Sequence, residues 1–260
     1  MIFDTHAHYD DEVFNEDRDK LLKSIKNNGV DFIVNVGASM DSTKKALELA
    51  KEYSFIYAAI GVHPSETEGL CEQDMQWLKE QVSNKKVVAI GEIGLDYYWP
   101  EPDQSIQKKW FERQLSLASE VKLPIVIHSR DAAKDTLDIL KGWQNELHGG
   151  VIHCFSYTKE IAREYLNMDY YFGIGGVLTF KNARKLIEAV EYIPIERILL
   201  ETDCPYLAPE PYRGKRNQSD YIDFVAQKLS EIKGLKKEEV LMCTMENARE
   251  FYRIDQKERS

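Results

Sequence analysis

No run of about 18 apolar residues occurs in the sequence, so no membrane-crossing helix is expected. The chain opens Met1-Ile2-Phe3-Asp4, without a basic segment leading into an apolar core. No secretory signal is expected, and a cytoplasmic location is. Cysteine is scarce, at four in 260 residues, and Cys71, Cys154, Cys204 and Cys243 form no CxxC pair. That spacing argues against a zinc knuckle or a disulfide framework, and for reduced thiols. Positive charge is in deficit, with 34 Lys and Arg against 44 Asp and Glu, a net charge of -10. This argues against a broad, non-specific nucleic-acid-binding face but leaves room for a local basic patch. No Ser/Gly linker, internal repeat or low-complexity tract divides the chain, so one domain over 1–260 is expected, with no obligate protein partner evident.

What is present is alternation. Apolar strand-like runs fall at about 2–8, 31–37, 55–62, 87–93, 124–128, 150–154, 170–175 and 197–203. Several are continuously apolar, as strands buried on both faces are. Helical patterns lie between them, at about 15–28, 41–53, 72–83, 104–122, 131–146, 158–167 and 182–191, with two more at about 217–233 and 236–252. Eight strands alternating with helices predict an α/β fold, a single (β/α)8 TIM barrel. An open doubly wound sheet is the alternative, but it would not bring the ends of distant strands to one mouth.

Histidine is also scarce, six in all, yet five close or flank these apolar runs. His6 and His8 end the first, and His63, His128 and His153 end the third, fifth and sixth. Glu92 ends the fourth run and Asp203 the eighth. In a parallel barrel all carboxyl ends of the strands converge on the catalytic face. His6 and His8 are two apart on a strand, so both point to one side, and Asp4 shares that parity. A carboxylate after an apolar run must face the mouth or be paired, because an unpaired buried charge is costly. By the same alternation Glu201 and Asp203 point inward, while Thr202, Cys204 and Cys154 point outward as packing residues. Imidazole and carboxylate together suit Zn, Mn or a related divalent ion such as Mg. His6, His8, Glu92, His128, His153 and Asp203 are too many for one tetrahedral ion with an open position. They fit two ions that clamp a scissile group and activate a water.

The stretches Ile2-Phe3-Asp4-Thr5-His6-Ala7-His8-Tyr9-Asp10, Pro124-Ile125-Val126-Ile127-His128-Ser129-Arg130-Asp131-Ala132 and Ile193 to Leu207, with Glu201-Thr202-Asp203-Cys204-Pro205 at its centre, carry a resemblance. Gly91-Glu92-Ile93-Gly94-Leu95-Asp96-Tyr97 and His153-Cys154-Phe155-Ser156 fit it too. Together they resemble the TatD family of metal-dependent deoxyribonucleases, within the amidohydrolase-like metallohydrolases. The resemblance runs in order along the whole chain. It implies a TIM barrel with a binuclear divalent site, in which His6, His8 and Asp203 hold one ion, His128 and His153 the other, and Glu92 bridges them. Many amidohydrolases bridge their metals with a carbamylated lysine on strand 4, and the glutamate here favours the TatD branch. One departure stands out: Ser65 follows His63-Pro64 where family members often have a second histidine. His63 is still expected to face the substrate.

The substrate side rests on Pro211-Tyr212-Arg213-Gly214-Lys215-Arg216-Asn217-Gln218, just past the last strand. Arg213, Lys215 and Arg216 beside a two-metal centre suit a phosphodiester; the alternative is a solvated basic loop. Arg130 and Lys181 are further candidates for phosphate, and Tyr97, Tyr98, Trp99 and Phe155 either stack on bases or pack the rim. The expected function is a divalent-metal-dependent hydrolase acting on ester bonds, specifically a deoxyribonuclease of exonuclease type working on DNA ends. Asp203 is expected to serve as both ligand and general base. Glu201 is expected to orient a ligand histidine or to be a buried ion-pair partner. An esterase or amidase on the same centre, such as an aminoacyl-tRNA deacylase, is the alternative, and a non-catalytic metal-stabilised scaffold is a third reading.

Overall fold

The structure is a computed structural model that describes residues 1–254. Eight parallel strands are hydrogen-bonded in chain order. They are β1 (Ile2–Ala7), β2 (Val30–Val36), β3 (Ile56–Ile60), β4 (Val87–Asp96), β5 (Ile125–Arg130), β6 (Gly150–Ile152), β7 (Tyr171–Ile174) and β8 (Ile198–Leu200). The helices between them are α1 (Arg18–Asn27), α2 (Met40–Glu52), α3 (Glu72–Gln81), α4 (Gln104–Val121), α5 (Ala133–Trp143), α6 (Lys159–Leu166) and α7 (Arg184–Tyr192). After β8 come α8 (Ile222–Lys233) and α9 (Lys237–Tyr252). This is the expected (β/α)8 barrel. The last six residues of the expected domain 1–260 lie outside the described range.

Strand alternation sorts the apolar residues into two sets. Val34, Tyr57, Val88, Val126, Val151, Tyr171 and Leu199 fill the barrel with Phe3. Ile33, Ile56, Ile90, Ile127, Ile152, Phe172 and Leu200 face the helices. Helix α9 joins the inner set through Met245, Ala248, Phe251 and Tyr252, and so closes one end of the barrel with apolar surface. The Tyr252 hydroxyl donates to the Thr5 carbonyl at 2.9 Å, which satisfies a polar group in the apolar interior. The polar chemistry is thereby left to the other end.

The barrel closes between β8 and β1 at that polar end. A parallel bridge joins Ala7 to Cys204, the Asp203 amide donates to the His6 carbonyl at 2.9 Å, and the His8 amide donates to the Cys204 carbonyl at 2.8 Å. The bonds that shut the barrel therefore run through the candidate metal ligands of the first and last strands.

Among several register slips, two lie near the polar end. Between Asp4 and Ala7, three steps along β1 match two along β2, from Ile33 to Asn35. Between Ile90 and Ile93, three steps along β4 match two along β5, from Ile125 to Ile127. Each slip places one extra residue between two outward-facing positions, so a pair of neighbours faces the interior. Strand β4 also runs past Glu92 to Asp96, further than its apolar pattern predicts. It can do so because Gly94 has φ +146, and a Cβ there would meet the His128 carbonyl oxygen at 1.9 Å.

Candidate metal centre

The slip in β4 turns Glu92 into the mouth, and the slip in β1 brings His6 inward beside His8. Strands β5 and β6 keep strict alternation, so His128 follows Val126 inward and His153 follows Val151. Beyond β8, Glu201 and Asp203 follow Leu199 by the same rule. Asp4 does not. Its carboxylate accepts hydrogen bonds from the Thr202 hydroxyl at 2.6 Å, the Thr202 amide at 3.0 Å and the Ser219 hydroxyl at 2.6 Å. The shared parity expected for Asp4 with His6 and His8 is therefore corrected: the extra residue after Asp4 leaves it pointing away from the mouth, toward the start of α8. There burial pushes its carboxyl up to about 7, against these hydrogen bonds.

The imidazoles and carboxylates converge closely. His6 Nε2 lies 3.1 Å from His8 Nε2, 3.5 Å from Glu92 Oε2 and 3.9 Å from Asp203 Oδ1. His8 Nε2 lies 3.4 Å from Asp203 Oδ1 and 3.9 Å from Glu92 Oε2. Four ligands about 2.0–2.1 Å from a tetrahedral ion are spaced about 3.3 Å apart, so these separations fit a common cation. The other oxygen of the same carboxylate faces a second pair. Glu92 Oε1 is 2.7 Å from His128 Nδ1 and 3.6 Å from His153 Nε2. The His6, His8, Asp203 group is able to hold a metal ion, as are groups formed by His6, His153, Glu201 and by His63, Glu92, His128.

Partners outside the cluster fix which ring atoms face inward. His8 Nδ1 bonds the Val36 carbonyl at 2.9 Å, so Nδ1 carries a proton and Nε2 is left for the mouth. His153 Nδ1 stands 3.0 Å from Glu201 Oε1, which also accepts from the Cys154 amide at 2.7 Å. Glu201 fits where it does because β7 has glycine beside it: a Cβ on Gly173 would lie 2.2 Å from Glu201 Oε2. His128 Nε2 is held by Asp96 Oδ2 at 3.1 Å. His6 Nδ1 is buried without a hydrogen-bond partner among the described residues.

The charge balance is negative. Burial opposes charge on every member, yet His153 and His6 hold Glu92 well below the usual carboxylate range. Likewise the hydrogen bond to His8 and the charge of His153 keep Asp203 low against its burial. The imidazoles answer in kind. Burial works against a proton on His153, but Glu201 and Glu92 push it up to about 10. His8 is pushed up to about 9 by Asp203 against its burial. His6 goes the other way, because burial and neighbouring His153 both disfavour its charge. A pocket that holds protons on two imidazoles in this way has the donor set and the charge to take up a cation instead.

The cavity over this cluster measures about 340 Å³ and is lined by His8, His63, Glu92, His128, His153 and Asp203, with Asp10, Asp11, Ser42 and Tyr206 on its wall. The basic loop stands apart from that wall. Arg216 is committed to Asp17 through paired bonds of 2.8 and 2.6 Å and lies over the Phe14 ring. Arg213 lies over the Phe180 ring and Lys215 near Tyr212; both are exposed, with no ion pair among the described residues. Lys181 is exposed. Arg130 stacks on the Tyr98 ring at 3.8 Å. Of the aromatics offered for stacking, Phe155 is buried edge-on against Phe172, outside the mouth, and Tyr97 is tied by its hydroxyl to Asp135. Packing claims those two, and they are not free platforms. Tyr98 and Trp99 are each 54% exposed.

Two further acidic residues at the site carry no signal as ligands in the sequence pattern. Asp96 buttresses His128, and its signal was parity, two pleats beyond Glu92 on the same face. Asp10, two residues past His8, accepts from Asn35 at 2.7 Å and from Ser42 at 2.6 Å on the cavity wall. All four cysteines are free, and Cys204 packs in the outer core.

Comparison with known proteins identifies relatives along the whole chain. The family described as TatD related DNase matches residues 3–253. An uncharacterized metal-dependent hydrolase of Bacillus subtilis, YabD, is 46% identical over 255 residues, covering 98% of this chain and 100% of that protein. YcfH of Escherichia coli, described in the same words, is 34% identical over 258 residues, covering 98% and 97%. Among solved structures, the Escherichia coli TatD homolog YjjV superposes with a TM-score of 0.91 at 29% identity, covering 97% of this chain and 98% of that one.

Proposed function

We propose, from the premise that the chain belongs to the TatD family of metal-dependent hydrolases, that it cleaves phosphodiester bonds at the ends of DNA. The observation that carries the reading is Glu92, whose two oxygens face two different histidine pairs. That supports a pair of divalent ions. His6, His8 and Asp203 would hold one, His128 and His153 the other, and Glu92 would bridge them. The chemistry such ions would supply there is polarisation of the scissile group and a lowered pKa for the attacking water.

The remaining work falls to the chain's own side chains. Asp203 is ionised, faces the cavity and stands at the seam of the barrel, so its carboxylate can align the water and take its proton. Glu201 and Asp96 hold the rings of His153 and His128 in the orientation the cluster needs. Arg213 and Lys215 meet the substrate's outer phosphates, and the exposed rings of Tyr98 and Trp99 meet its bases. With few free cations at the rim and a net charge of -10, the chain suits a short single-stranded end and not a long duplex track.

The test is a panel of DNA, RNA, aminoacyl-tRNA and simple carboxylic esters, run on protein reconstituted with zinc, manganese or magnesium. Release of nucleotides from DNA ends is the expected result. Turnover of carboxylic esters or aminoacyl-tRNA with no phosphodiester cleaved under any metal would overturn the reading.

A further inference from the structure

His63 belongs to one of the groups able to hold a metal ion, with Glu92 and His128, and its ring stands edge-on to His128 at 4.2 Å. Its local backbone assigns it a different task. His63 caps the short 3-10 turn Pro64–Glu66, and its Nδ1 accepts the Ser65 backbone N–H at 3.1 Å. A backbone amide can only donate, so Nδ1 is the unprotonated nitrogen and the ring proton sits on Nε2. The Ser65 hydroxyl reaches the same Nδ1 at 2.8 Å and is free to donate as well. Nε2 makes no hydrogen bond among the described residues, while the ring lines the cavity.

This tautomer runs opposite to that of His8. There Nδ1 gives its proton to a carbonyl and Nε2 presents a lone pair. Here Nδ1 is already an acceptor, so a cation at Nε2 would require an imidazolate or the loss of the Ser65 hydrogen bond. For the same reason Nε2 has no lone pair with which to take a proton from water.

We propose that His63 is a fixed hydrogen-bond donor to an oxygen of the substrate, held as the Nε2–H tautomer by the Ser65 amide, and neither a metal ligand nor the general base. The inference rests on the reading above that the site hydrolyses a phosphodiester. The oxygen it meets is a non-bridging or leaving oxygen of the phosphoryl group, where negative charge grows during attack. No proton leaves the ring: the N–H is present before, during and after the bond breaks. The backbone amide of residue 65 sets the tautomer, and the Ser65 hydroxyl adds a second contact to the same Nδ1.

The experiment compares wild type, His63→Phe, His63→Gln and Ser65→Ala on bis(4-nitrophenyl) phosphate, together with metal content and nitrogen NMR of the histidine ring in the zinc-loaded protein. The expected spectrum has the His63 proton on Nε2, in wild type and in Ser65→Ala alike, because alanine keeps the amide. His63→Phe should keep the wild-type metal count and lose about 100-fold in kcat, the cost of removing one donor to a developing oxyanion. His63→Gln, which retains an N–H donor, should recover part of that loss, and the pH profile of each variant should keep the wild-type acidic limb. A proton on Nδ1, a lost ion in His63→Phe, loss of the acidic limb, or unchanged phosphodiester kcat would each overturn the proposal. If wild type cleaves only a carboxylic ester, the functional reading falls. The tautomer, the metal count and the same variants on that ester then decide the role of His63 separately.

Discussion

Metal uptake by this site should expel protons, and by a countable number. Burial opposes charge on both rings, yet Glu201 and Glu92 push His153 up to about 10, and Asp203 pushes His8 up to about 9. At pH 7 both imidazoles in metal-stripped protein therefore carry a proton that a cation must displace. Each proton competes with the cation for its ring, so apparent affinity at pH 7 is weakened relative to pH 10. The sign is fixed: affinity rises as pH climbs from 7 and levels off above about 10, once both rings have lost their protons. Zinc titration by calorimetry at pH 7, repeated in buffers of different ionisation enthalpy, should give about two protons released per protein. Glu201→Gln keeps an acceptor for the Cys154 amide but removes the charge behind His153, so its count should fall toward one. A second readout follows from linkage. The stability these raised imidazoles contribute to stripped protein is complete below their unfolded value of about 6.5 and is lost as pH climbs through 9 to 10. Proton release near zero, or a zinc affinity flat from pH 7 to 9, would refute the protonated state of His8 and His153 in the stripped site.

Other expectations follow from the same geometry. Asp203→Asn keeps shape and a coordinating oxygen but cannot accept a proton, so kcat should fall by about 10²–10⁴ with substantial metal still bound by elemental analysis. Arg213→Ala with Lys215→Ala should raise KM for oligonucleotides and lower the salt slope by about 1–2, at unchanged metal content. Arg216→Ala should instead show as a loss of about 1 kcal/mol in denaturant unfolding, because that side chain is bound to Asp17. Trp99 fluorescence should be quenched by single-stranded oligonucleotide and much less by mononucleotide; no change at saturating oligonucleotide would remove the stacking role. Gly173→Ala forces a Cβ to within 2.2 Å of Glu201, so it should cost about 1–3 kcal/mol in stability and weaken metal binding together, read by thermal unfolding and zinc titration.

The sequence by itself determined the alternation of eight apolar runs with helices, and with it the barrel. It also determined that histidines and carboxylates stand at the ends of those runs. Where a strand keeps its period of two, the direction of each side chain was legible as well: Val126 to His128, Val151 to His153, and Leu199 through Glu201 to Asp203. That information is local, because alternation follows from the covalent geometry of an extended chain. Other features belonged to the tertiary structure. Asp4 points away from the mouth, and Glu92 points into it, because β1 slips by one residue against β2 between Asp4 and Ala7, and β4 slips by one against β5 between Ile90 and Ile93. Register is a joint property of two strands and the packing on either side, so neither sequence segment specifies it alone. The same holds for Arg216, drawn off to Asp17 199 positions earlier, and for Phe155, claimed by the core. It holds most closely at the centre. The Val36 carbonyl decides which nitrogen of His8 faces the cavity, and the meeting of β8 with β1 sets Asp203 beside His6 and His8. The residue types were written along the chain; which atoms they present to one another was fixed only when the first and last strands met.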